Sequence, residues 1–213
     1  MTQALSYLSD LLCIESVTWD IKRNDEISGT GDGRIWQASL APPLWQATIN
    51  LNVNYHDEVK NIAARIRNLQ GAKEPFLLED PLSPAPLFDR DGTIASSNTI
   101  TLASFNSTGY TINFGGFTPN FKLTWGDKFH IRYGVGNDKY SFHEIAGDYT
   151  ASSTGSFTNV NIFPNLPAGI ATGAQMYFYH PSCKMIIFPD TFSPGTASGV
   201  FTNGLTFRAI QKK

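Results

Sequence analysis

The chain has 213 residues, a formal net charge of −2 and 41% hydrophobic residues, enough for one large β domain or two small ones with a real core. Charged residues make up only 16%, against roughly a quarter in ordinary globular chains, and no basic stripe of the kind that grips nucleic acid is present. Abundant Gly (18), Pro (12) and Phe (15) favour short strands joined by turns and exclude a disordered or mostly helical chain.

The opening MTQALSYLSDLL lacks the basic n-region and small-residue cleavage site of a signal peptide. No apolar run approaches the ~18 residues of a membrane span, so neither export nor a membrane is expected. Cys13 and Cys183 are the only cysteines and are expected to be free, mostly buried thiols in a reducing cytoplasm. A strand is predicted around Ile14–Ile21, then a glycine-rich turn, SGTGDGR, at Ser28–Arg34. Two strands follow, Ile35–Leu40 and Trp45–Val53, separated by Ala41-Pro42-Pro43 as a break or an edge. The second alternates strictly. Trp45, Ala47, Ile49, Leu51 and Val53 take a core face, while Gln46, Thr48, Asn50 and Asn52 form a polar, uncharged one.

A helix is predicted over Asp57–Leu69, with Val59, Ile62, Ala63, Ile66 and Leu69 on one stripe. Asp57 and Glu58 suit its first turn, Arg65 and Arg67 its last, and Gln70-Gly71 its stop. The proline-rich stretch Pro75–Gly92 reads as a strand leading into an extended connector, and Thr99–Phe105 and Tyr110–Phe114 as further strands. From Phe121 short strands recur at about ten-residue spacing, near Phe121–Gly134, Tyr140–Ile145, Phe157–Phe163 and Met176–Tyr179, which suggests a small barrel. Phe201–Gln211 is a last strand.

No catalytic, cofactor or metal site emerges, and an enzyme is not expected. His56, His130, His143 and His180 have no Cys or His neighbour at metal-ligand spacing. Asp89-Arg90-Asp91-Gly92 opens like a calcium loop, but its glycine comes too early and position twelve is Ile100, so a turn is expected. Glu79, Asp80, Asp89 and Asp91 could form a glycosidase cluster, but they flank a connector rather than rigid strands. Gly29–Gly33 is not a P-loop, and Ser198 is not in a nucleophile elbow. Trp125, just before Gly126-Asp127, is the aromatic ring best placed to stack on a ligand, with packing at a barrel mouth as the alternative.

Four stretches together resemble a known family. They are "DEISG…G…W.A.LAPPLW.A.INL" (Asp25–Leu51) with the helix after it, "F.LEDPL…P..D.DG" (Phe76–Gly92), and "L.WGD.F.I.YG…Y.FHEI…G…NV.IFP.L" (Leu123–Leu166), closing with "HPSCKMIIFP…NGLTFRAIQ" (His180–Gln211). The chain is similar over most of its length to distal tail proteins of long-tailed, siphovirus-like bacteriophages. The resemblance implies a mainly β fold: a β-sandwich or split-barrel belt domain with one flanking α-helix, at 1–115 and 176–213, plus a small inserted β-barrel at 116–175.

It also implies a structural role at the tail tip, in a virion assembled in the host cytoplasm. Six copies would form a homohexameric ring joining the tail tube protein to the baseplate hub protein, with tail fibre or receptor-binding proteins as further partners. DNA would pass through the ring only as non-specific cargo, and Gln46, Thr48, Asn50 and Asn52 would line the channel. Competing readings are a carbohydrate- or receptor-binding module using the 116–175 barrel and Trp125, and a hydrolase using the acidic connector.

Overall fold

A computed structural model describes residues 2–213, the side chain of residue 137 excepted. In chain order it contains β1 (Ile14–Gly29), β2 (Ile35–Leu51), β3 (Asn54–Tyr55), α1 (His56–Asn68), β4 (Phe76–Glu79) and α2 (Thr93–Ser97). Then come β5 (Ile100–Phe105), β6 (Thr111–Gly115), β7 (Lys122–Leu123), β8 (Lys128–Tyr133), β9 (Lys139–Ile145) and β10 (Tyr149–Thr150). The last strands are β11 (Ser156–Phe163), β12 (Gln175–Tyr177), β13 (Ser182–Ile187), β14 (Ser193–Ser198) and β15 (Phe201–Gln211). The fold is mainly β, and the strand pairs are antiparallel.

Two compact units share the chain. The first holds the chain up to Leu12, Lys73–Met185 and Lys212–Lys213; the second holds Cys13–Ala72 and Ile186–Gln211. In the second, β2 lies between β1 and β15, and β14 and β3 also pair with β15. The helix α1 packs beside β3, β14 and β15. Its stripe is the predicted one, with Val59, Ile62, Ala63 and Ile66 buried along with Leu69 just past its end. Gln70 and Gly71 follow with φ of 51° and 64°, the left-handed stop that glycine allows cheaply.

The first unit is built on a closed barrel of six strands in the order β11-β6-β5-β12-β8-β9. Its alternation points Ile100, Leu102, Ile112, Phe114, Phe129, Ile131, Phe157, Val160 and Ile162 into one buried cluster. Phenylalanine rings interlock within it: Phe114 stacks on Phe157 with centroids 5.1 Å apart, and Phe129 on Phe178 at 5.0 Å. Outside the barrel β4 pairs with β13, and β7 with β10. Gly155, with φ of 74°, turns so close to Phe117 that a Cβ would sit 1.8 Å from the Phe117 carbonyl oxygen.

The expected division at 115/116 and 175/176 cuts through this barrel. β5 and β6, assigned to the belt, are two of its staves, and β12 begins at Gln175. Their pattern of buried Ile, Leu and Phe alternating with Thr, Ser and Asn is what any half-buried strand shows, so sequence periodicity could not assign them to one unit. Three other expectations change. Pro42-Pro43 does not separate two strands, because β2 runs unbroken through it. Val53 is 56% exposed rather than in the core. Cys13 is exposed while Cys183 is buried, and both are free. The short helix α2 and the strands β13 and β14 were not predicted.

Because Phe114 touches three other buried rings, Phe114→Ala should cost about 3–5 kcal/mol in urea unfolding. Phe105→Ala, at a partly exposed site on β5, should cost well under half as much.

Candidate functional site

The longest pairing in the molecule joins β1 and β2, from Ile14↔Leu51 out to Gly29↔Ile35. The register shifts between Lys22↔Leu44 and Asn24↔Ala41, where Pro42 and Pro43 stand opposite Arg23 alone. That is a β-bulge, one of the few places where a strand tolerates proline without losing a ladder bond. On the near side of the bulge β2 also pairs with β15, through Gln46–Ile210 to Asn50–Thr206. On the far side β1 is its partner, and residues 24–41 form a two-stranded arm closed by the Thr30–Arg34 turn. Six residues of strand at ~3.3 Å each carry it about 20 Å beyond the bulge.

This arm exposes large apolar side chains on both faces. Ile27 and Ile35 lie on one and Trp36 on the other, with Leu40 at a second register shift between Asn24↔Ala41 and Asp25↔Ser39, all between 64% and 74% exposed. Within the arm, Asp25 accepts hydrogen bonds from Arg23 Nε at 2.6 Å and from Gln37 Nε2 at 2.5 Å. The Arg23 guanidinium holds its carboxyl below the usual range. Sequence reading missed these apolar residues as a surface. The available signal was that Ile35, Trp36 and Leu40 occupy both parities of a strand, a pattern that asks for cover on both sides.

Gln46, Thr48 and Asn50 share the face of β2 opposite Trp45, Ala47, Ile49 and Leu51, which are buried. Gln46 and Thr48 are half-buried and Asn50 is exposed, donating from Nδ2 to Ser16 Oγ at 2.9 Å. Asn52 lies past the end of the strand, and its Oδ1 accepts from the Val53 N–H. The face as a whole is not neutral. Register places Asp20 and Lys22 of β1 and Arg208 of β15 on it, and both cations lie over the Phe188 ring, at 5.8 and 5.5 Å from its centroid.

Trp125 is 68% exposed on the turn between β7 and β8. It borders an open cleft of about 510 Å³ in the barrel unit, with the proline connector at Leu82–Leu87 as the other wall. Two buried carboxylates fix these walls. Asp127 accepts from the backbone N–H of Thr124 at 2.7 Å and of Leu87 at 2.9 Å, while desolvation pushes its pKa up. Asp80 accepts from Leu82 N–H and pairs with Lys128. Asp89 accepts from the N–H groups of Ile94 and Ala95 at the start of α2, so Asp89-Arg90-Asp91-Gly92 is a turn. Glu79 pairs with His180. Glu79, Asp80 and Asp89 are thus each tied to a different partner.

The barrel also buries two histidines, His130 and His143, in hydrogen bonds of its own. His143 Nδ1 donates to the Pro164 carbonyl at 2.5 Å, which leaves Nε2 to accept from Ser141 Oγ at 2.5 Å. Both side chains are buried, so this Ser–His contact has no access for a substrate. His130 Nδ1 accepts from the Ser182 N–H and its ring stacks on Tyr177. Burial lowers the His130 pKa to about 3 and the His143 pKa to about 4. Among the described residues no three His, Cys, Asp or Glu side chains form a metal site, and no helix is long and apolar enough to cross a membrane.

A scan against protein-family models finds no match, and a search of curated proteins finds none either.

Both imidazoles are neutral in the fold, so the unfolded chain takes up their protons first, from the ordinary value of 6.5 downwards. The stability these two groups contribute is full above about pH 6.5 and falls as the pH drops through 6 and 5, by about 1.4 kcal/mol for each unit of depression. The melting temperature should therefore fall steadily between pH 7 and pH 4, and a His143→Gln variant should lose part of that slope.

Proposed function

We propose that the chain is a structural subunit of a bacteriophage tail tip, a distal tail protein that closes into a ring by joining copies of itself. The observation that carries this reading is the β1–β2 arm, a ribbon with apolar residues exposed on both faces. A two-stranded ribbon is marginal in water by itself. Burying Ile27, Ile35, Trp36 and Leu40 on a neighbour would gain roughly 1.5–3 kcal/mol apiece before the costs of association. The outer edge of β1 supports the same reading. Among the described residues β2 is its only strand partner, so 16 residues of backbone offer a template for another chain. A head-to-tail contact of this kind closes when the rotation between copies allows a ring, and the family resemblance makes the number six.

In this proposal the β1–β2–β15 unit is the belt, of sandwich or split-barrel type, set between the tail tube protein and the baseplate hub protein at the distal end of the tail. Gln46, Thr48 and Asn50 face the DNA channel, where uncharged side chains hydrate the wall without gripping phosphates. Asp20, Lys22 and Arg208 share that face and leave it one net positive charge, with both cations over the Phe188 ring. The protein works by assembly rather than by catalysis.

Electron microscopy and native mass spectrometry of the full chain, alone and with its tail tube protein, test this. Six-copy rings are expected, and an Ile35→Ser/Trp36→Ser double variant should lower ring yield at least tenfold while leaving the melting temperature of the monomer within a few degrees. A chain that stays monomeric even with the tube protein would refute the proposal.

A further inference from the structure

The Trp125 cleft belongs to the barrel unit and shares no residue with the β1–β2 arm on which the proposed function rests. We propose that it binds a neutral hexopyranose unit of a surface saccharide, with the exposed face of Trp125 as the stacking platform and Arg90 as the principal hydrogen-bond donor.

Four observations point to this. First, a tryptophan 68% exposed is unusual, because its large ring normally finds burial. Here the ring stands on a turn whose backbone cannot readily move. Thr124 N–H donates to Asp127 Oδ2, Gly126 N–H to the Ile145 carbonyl, and Asp127 N–H to the Thr124 carbonyl. Second, the facing wall is equally fixed. Leu82 N–H is held by Asp80, Leu87 N–H by Asp127, and the Pro84 carbonyl accepts from His180 N–H. A preformed cleft loses little conformational entropy on binding. Third, its volume of about 510 Å³ lies inside the roughly 300–1,000 Å³ of small-molecule sites. The lining mixes the indole and the apolar Leu82 and Pro84 with polar donors and acceptors, which suits a ring with C–H faces and hydroxyl edges.

Fourth, the charges select among ligands. Arg90 lines the cleft and forms no ion pair among the described residues, so its planar donor fork is free. Lys128 is already paired with Asp80, and Asp127 adds a carboxylate to the lining. With Lys128 counted against Asp80 and Arg90 against Asp127, the charges at the cleft balance, so it offers no surplus cation to a uronic acid or phosphate and suits neutral hydroxyls. An apolar peptide would use the indole but leave the Arg90 donors without a partner.

The test is binding of the full chain to printed neutral oligosaccharides of glucose, galactose, N-acetylglucosamine and rhamnose, beside oligogalacturonate and a polyproline peptide, with titration calorimetry on the best probe. Retention of at least one neutral glycan is expected. Trp125→Ala should weaken it at least tenfold and Trp125→Phe less, with Arg90→Gln weakening it several-fold and all three melting as the parent does. No neutral glycan bound, undiminished binding by Trp125→Ala, or binding only to oligogalacturonate or polyproline would overturn the proposal. Ring formation should be unchanged in every variant, so failure here leaves the assembly reading intact.

Discussion

The ladder between Ile14–Gly29 and Ile35–Leu51 changes character at Pro42-Pro43, and much of the second unit follows from that change. Inside the bulge β2 has a strand on either side and its odd-numbered residues, Trp45 to Leu51, are sealed from water. Outside it the same two strands continue with each other alone. A ribbon of two strands has no interior, so whatever apolar residues it carries must meet water or another molecule. The prolines make this continuation possible, because the bulge absorbs two residues that could not donate to a ladder. The chain therefore extends its most regular strand beyond its own core instead of ending it.

The barrel unit solves the opposite problem. Its six strands close on themselves and leave no open edge in the ring of staves. Stacked phenylalanines fill the inside, and the polar groups that must be buried are satisfied locally. His143 is held between Pro164 and Ser141, and Asp127 ties the Trp125 turn to the proline connector. His143 and Asp127 each hold two parts of the framework together. Their bonds leave a rigid rim on which an exposed indole is conspicuous.

Much of this was legible in the residues. The α1 stripe from Val59 to Leu69, its acidic first turn and its Gln70-Gly71 stop all read directly from helical periodicity. The alternation of β2 from Trp45 to Leu51 and the limits of β15 did too. What failed has a common cause: local pattern does not say which strand pairs with which. Ile100–Phe105 and Thr111–Gly115 look like any half-buried strands, and only their long-range partners make them part of the barrel. Likewise the charged neighbours of Gln46 and Thr48, Asp20 and Arg208, are some 25 and 160 residues away in sequence and enter the face only through register. Pro42-Pro43 suggested a break because a bulge needs a partner strand to be recognised. Trp125 was correctly singled out as a ring at a turn, but its cleft depends on the proline connector, which no local spacing reveals.

The claim on which the account rests is that the arm formed by residues 24–41 is completed by another copy of the chain. Amide hydrogen exchange resolves it directly, because backbone protection reports whether the ribbon is covered. At high dilution the arm should exchange within seconds to minutes while Trp45–Leu51 stays protected. In the assembled ring the arm should slow by at least a hundredfold. An arm that exchanges equally fast in both states, or that is already as protected as Trp45–Leu51 in the monomer, would contradict the account.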